Sequence, residues 1–194
     1  MPRFLLAITA FLLTVALSAQ VKTNPEIQKK VDAFIEQSNQ KKWDEAFGVM
    51  YPKLFSRVPK QDLIDLMTSM DQDGLSLMRS HMKLTSSTSP LKEGDETFVK
   101  LDYMADLTAL IKAGSFYDDP KYIQGMTGQF EATYGKENVK WDAANKTYTI
   151  ITKIAMMAIK SENEWYLVEI NNDQKELMEY LFSESVRKAL VNTE

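Results

Sequence analysis

The sequence predicts an α+β fold: helices first, then a mostly antiparallel sheet, then an added C-terminal helix. Three observations predict it. Apolar residues recur at helical spacing between residues 24 and 70. The period falls to two from Leu75 onward, as in half-buried strands. Helical spacing then returns in Leu177, Tyr180, Leu181, Val186 and Leu190. The chain has 194 residues, 44% of them hydrophobic and 26% charged, which fits one globular domain with a sizeable core.

Each element has its own signal. Asn24-Pro25 reads as a cap followed by proline at the first helical position. Ile27, Val31, Phe34, Ile35 and Ser38 then share a face. Trp43, Ala46, Phe47 and Met50 mark a second helix that Pro52 ends, and Leu63, Leu66, Met67 and Met70 mark a third. The alternation of the first strand puts Met78, Ser80, Met82 and Leu84 on one side, with Arg79, His81, Lys83 and Thr85 on the other. Pro90 to Asp95 reads as a turn. A second strand carries Val99, Leu101, Tyr103, Ala105 and Leu107 inward. Asp119-Pro120 starts a helix with Ile123, Met126 and Phe130; its Gly125 and Gly128 are expected to permit close packing. Strands follow at residues 139–142, 147–160 and 165–170. Asp173 and Glu176 have the spacing of a capping box for the last helix.

The N-terminus carries an address. Arg3 precedes an apolar run from Phe4 to Leu17, shorter than the ~20 residues of a membrane span and suited to a secretory leader. Ala16 and Ser18 are small enough for cleavage before Ala19; cleavage after Ala19 is the alternative. Residues 1–19 therefore read as a signal peptide and residues 20–194 as a single domain, exported to a bacterial periplasm or the exterior. No membrane association is expected after cleavage, and with no cysteine there is no lipoprotein anchor. Asn145-Lys146-Thr147 matches a glycosylation sequon and reads as a chance match in a turn.

Composition removes whole classes of chemistry. The absence of cysteine excludes disulfides, thiolate nucleophiles and zinc-thiolate sites. A single histidine, His81, excludes multi-histidine metal sites. A net charge of −4 gives no broad reason to bind nucleic acid. No cofactor, metal site or catalytic set is expected. Asp102 and Asp106 share a strand face with Cα atoms about 13 Å apart, beyond the separation of a glycosidase pair. Pairing with Arg79, His81 or Lys83 across the hairpin is the expectation. Asp71-Gln72-Asp73-Gly74 lacks the spacing of a calcium loop and reads as a helix end.

The order of helices, then β-β-α-β-β-β, then a helix is similar to that of the NTF2-like (cystatin-like) superfamily. The stretch Asn39-Gln-Lys-Lys-Trp-Asp-Glu-Ala-Phe47 resembles the lead into the second helix of such proteins. Ser161-Glu-Asn-Glu-Trp-Tyr-Leu-Val-Glu169 resembles their charged turn and Trp-led last strand. The resemblance covers about residues 25–171. It implies a curved sheet wrapped as a cone around the long first helix, with the third and last helices as additions. The superfamily includes isomerases, dehydratases, transport factors and exported domains, so it does not assign a role.

Within such a cone, Tyr51, Tyr103, Tyr148, Met156 and Tyr166 are the candidate ligand-binding residues, with Tyr103, Tyr148 and Tyr166 expected to face inward. Isomerase-like relatives combine an interior tyrosine with buried carboxylic acids; here the inward faces carry tyrosines without Asp or Glu. The long strand Ile150–Ile159 is apolar on both faces, and Ile151, Ala155, Met157 and Ile159 need a cover outside. The last helix or a second copy of the chain would supply it. The leading expectation is a non-catalytic exported domain that binds a small apolar ligand or a protein partner. The alternatives are an interaction module using the outer sheet face and last helix, and an isomerase or lyase acting through the tyrosines.

Overall fold

The computed structural model describes residues 23–171 and 173–191, so residues 1–19, expected to be a signal peptide, lie outside the described residues. The first helix, α1 (Pro25–Asn39), starts as expected: the Asn24 side chain accepts the Glu26 N–H at 2.8 Å. It buries Ile27, Val31 and Phe34. Next come α2 (Trp43–Gly48), a turn of 3-10 helix at Pro52–Ser56, and α3 (Lys60–Gln72).

The strands are β1 (Leu75–Ser87), β2 (Leu91–Glu93), β3 (Glu96–Ile111), β4 (Val139–Asp142), β5 (Thr147–Ser161) and β6 (Glu164–Glu169). They form a curved, unclosed antiparallel sheet in the order β1-β3-β5-β4, with β2 beside β3 and β6 beside β5. The strand β2 occupies part of the stretch expected to be only a turn. Gly94, at φ 58°, and Asp95 are the two residues that let it fold back on β3. Helix α4 (Pro120–Tyr134) lies between β3 and β4, capped by the Asp119 carboxylate. The chain ends in α5 (Lys175–Leu181) and the short α6 (Glu184–Val186), which runs into a π-helical turn. The expected capping box is absent: Gln174 is the N-cap, and its side chain makes no capping bond.

The outer sheet face is covered over part of its area. Phe98, Met157, Ile159 and Val168 pack there against Met178, Leu181, Phe182, Val186 and Leu190 of the C-terminal helices. The expected cover for Met157 and Ile159 is thus the chain's own C-terminus. Ile151 stays exposed, and the rows around it, Thr108–Thr149 and Met104–Lys153, are mixed rather than apolar.

Two clusters line the concave face. In the first, Ile27, Val31 and Phe34 of α1 pack on Leu101, Tyr103, Ala105, Ile154, Met156 and Ala158. In the second, Leu75, Ala109, Ile111, Tyr148 and Ile150 lie beneath α4. No helix among the described residues is long and apolar enough to cross a membrane.

Candidate functional site

The two halves of the concave face are finished differently. Under α1 the core is closed, and Ile27 and Val31 are each 1% exposed. Neither α3 nor α4 fully buries a single residue. Their apolar faces are nevertheless real. Met70 of α3 and Ile123, Met126 and Phe130 of α4 pack on the second cluster while only partly buried, as do Leu77 and Leu107 on the floor. Leu66 of α3 is 54% exposed. Gly125 and Gly128 do not mark close packing as expected, since a Cβ at either would meet nothing within 4 Å. They lower the intrinsic stability of a helix already short of buried contacts.

One charged group enters this face where alternation placed it outside. Arg79 pairs with Leu107, which pairs with the buried Ile150, and directly opposed residues share a face. Arg79 therefore points inward. The cause is an irregularity in β1: the register shifts between Ser80 and Lys83, and His81 there has φ 51°. Before the shift Leu75, Leu77 and Arg79 face in; after it Met82 and Leu84 do. His81 stays outside, largely exposed, and its Nδ1 lies 2.8 Å from Asp106 Oδ2, one of the cross-hairpin pairs expected.

Arg79 is held from three sides. Its backbone N–H donates to Asn39 Oδ1 at 2.9 Å, and its carbonyl accepts from Asn39 Nδ2 at 2.7 Å. This amide closes the free edge of β1 at that residue. The guanidinium carbon sits 5.8 Å from the centre of the Phe34 ring. One nitrogen donates to Glu169 Oε2 at 2.8 Å, with the Arg79 side chain 26% and the Glu169 side chain 42% exposed. The pair joins β1 at one margin of the sheet to β6 at the other, which the sheet's curvature brings within reach.

The residues expected to bind ligand are dispersed. Tyr103 and Met156 lie together in the first cluster, each 1% exposed. The Tyr103 hydroxyl faces Gln28 Oε1 at 3.5 Å, and Gln28 in turn donates to Asp32 at 2.8 Å. Burial, with the Asp32 charge nearby, pushes the Tyr103 phenol up to about 12. Tyr148 is fully buried in the second cluster; its hydroxyl donates to the Ile123 carbonyl at 2.8 Å and lies 2.6 Å from Thr127 Oγ1. That bond anchors α4 to β5. Tyr51 and Tyr166 sit with the outer cluster, against the expectation that Tyr166 faces inward. Opposite Tyr166 is the outward-facing Ile159, so alternation puts Trp165 and Leu167 inside instead. The Tyr51 hydroxyl donates to Glu96 at 2.6 Å, and burial raises its pKa.

Other basic clusters are already engaged. A cleft of about 650 Å³ at the far end of the second cluster contains Lys41, Lys112 and Lys146. Lys41 is paired with Asp71 and Lys146 with Asp118, and both carboxylates are held below their usual range mainly by those lysine hydrogen bonds. A second cleft of about 700 Å³, beside α5, holds Arg57, whose guanidinium lies over the Tyr180 ring at 4.4 Å.

No family model and no curated protein matches the chain. Solved structures similar to it include the intermembrane-space region of the chloroplast protein ARC6, at 10% identity and a TM-score of 0.42, over 76% of this chain and 95% of that one. A Kribbella flavida protein is similar at 10% identity and a TM-score of 0.40, over 76% and 93% of the two chains. An NTF2-like family member from Streptomyces avermitilis, described as a putative dehydratase, is similar at 8% identity and a TM-score of 0.35, over 73% and 88%.

Proposed function

We propose that this chain is an exported, non-catalytic binding domain that holds a small apolar ligand on the open half of its concave face. One observation carries the reading. Two helices turn apolar faces toward the second cluster, yet bury none of those side chains completely. Such a surface costs free energy in water and is recovered when an apolar ligand covers it. Methionine supports the reading further: Met70 and Met126 are unbranched and adapt to irregular ligand shapes. The role of the expected tyrosines changes accordingly. Tyr148 fixes α4 from below, and Tyr103 and Met156 belong to the closed half, so the ligand rests on Met70, Leu77, Leu107, Ile123, Met126 and Phe130. Export rests on the leader-like run behind Arg3.

Native mass spectrometry of protein purified from its own host tests this reading. The expected result is a population with extra mass that leaves on gentle activation. Met126→Asp is expected to lose that mass while keeping the wild-type unfolding midpoint within a few degrees. A bare mass for the wild-type protein, together with no uptake of an added apolar probe such as decanol, would refute the reading.

A further inference from the structure

We infer that the ligand is an amphiphile with a carboxylate head, and that Arg79 receives the carboxylate. The inference rests on the apolar site proposed above and names the ligand class for it. Arg79 shares its face with Leu77 and its strand pairing with Leu107, both part of the partly buried apolar surface. From that row the side chain reaches toward Phe34 and Glu169 beside the closed half, so it bridges the two halves. A guanidinium has five N–H donors in a planar fork. One is used on Glu169, and the others have no hydrogen-bond partner among the described residues. The backbone beneath is fixed by Asn39, and the Phe34 ring flanks the guanidinium, so the fork is pre-oriented.

The neighbouring strand pair is short in side chain. Ala105 and Thr152 pair beside the Leu107–Ile150 row on the same face, between Arg79 and the row that holds Glu169. Glu169 is the internal stand-in for the ligand. It supplies a carboxylate to the fork when no ligand is bound, and it is exposed enough to return to water when one arrives. Releasing a partly exposed ion pair costs little. A planar carboxylate that meets the free side of the fork gains parallel charge-assisted bonds while its alkyl chain lies along Met70, Met126 and Phe130.

Calorimetric titration with decanoate and decanol, on the wild-type protein and on Arg79→Gln and Glu169→Gln, tests this. The account expects decanoate to bind roughly tenfold more tightly than decanol, the size of one charge-assisted hydrogen bond. Arg79→Gln is expected to erase that difference. Glu169→Gln removes the competing carboxylate and is expected to tighten decanoate roughly threefold. The opposite signs matter, because an ion pair that only braces the fold predicts that both variants weaken binding alike. That result would overturn the inference. Equal affinity for decanoate and decanol, unaffected by Arg79→Gln, would also overturn it while the apolar site stands. Failure of both ligands to bind the wild-type protein would remove the apolar site itself.

Discussion

Helices α1 and α4 are the same length and lie on the same sheet, yet they are held in different ways. Helix α1 buries three side chains in a closed cluster, and α4 buries none completely. Helix α1 is tied down at both ends: Lys30 to Glu164 and Trp165 to Glu26 near its start, and Asn39 to β1 at its finish. Helix α4 depends on the Asp119 cap, the Tyr148–Ile123–Thr127 hydrogen bonds and a stripe of half-buried side chains. The difference teaches where rigidity and function divide. One half of the concave face is closed by fully buried side chains, and the other, where the proposed ligand would sit, is held by fewer such contacts.

The largest predicted effect sets the halves apart directly. Ile27→Ala should lower unfolding free energy by about 3 kcal/mol, as for deletion of a fully buried aliphatic side chain. Met126→Ala, at a partly buried site, should cost less, about 1–2 kcal/mol. Urea unfolding measures both, and equal losses would break the comparison.

A smaller effect has the opposite sign. Gly125→Ala and Gly128→Ala meet no steric obstacle and each should stabilise α4 by about 0.5–1 kcal/mol. The gain should appear as slower amide exchange within α4, with exchange in α1 unchanged. Destabilisation by either alanine would mean that the helix packs against something at those glycines.

The smallest effect concerns pH. Tyr103 keeps its proton up to about 12 in the fold, against about 10 in an unfolded chain. Its contribution is therefore complete below the unfolded value and disappears as pH rises through the folded one. Tyr103→Phe should shallow the loss of stability between pH 10 and 12, with no change in slope near neutrality. Tyr51, Tyr148 and Tyr166 are shifted in the same direction, so the variant removes only part of the alkaline loss.

The fold was legible wherever a local signal had no competitor. The Asn24-Pro25 cap placed the start of α1, period two placed β1 and β3 because each repeats its pattern many times, and a long apolar run between turn signals placed β5. The candidate site was not legible, for three physical reasons. Arg79 faces inward only because of a bulge at His81, and a left-handed histidine leaves no trace in an apolar–polar pattern. The direction of Tyr166 was hidden because both faces of β6 are covered, one by α1 and one by the C-terminal helices, so its apolar residues carry no direction. The incomplete burial of α3 and α4 is a tertiary property: their spacing is that of buried helices, and only the packing shows that none of their side chains is fully covered. The glycines of α4 were the one local hint, and they have the opposite meaning from the close packing expected of them.

The most direct test of the account is amide hydrogen exchange across the chain, with and without decanoate. The account predicts that α4 exchanges well before α1 in the free protein, and that the ligand slows α4 and the segment of β1 around Arg79 while leaving α1 unchanged. Equal protection of the two helices in the free protein, or ligand protection confined to α1 or the outer face, would contradict it.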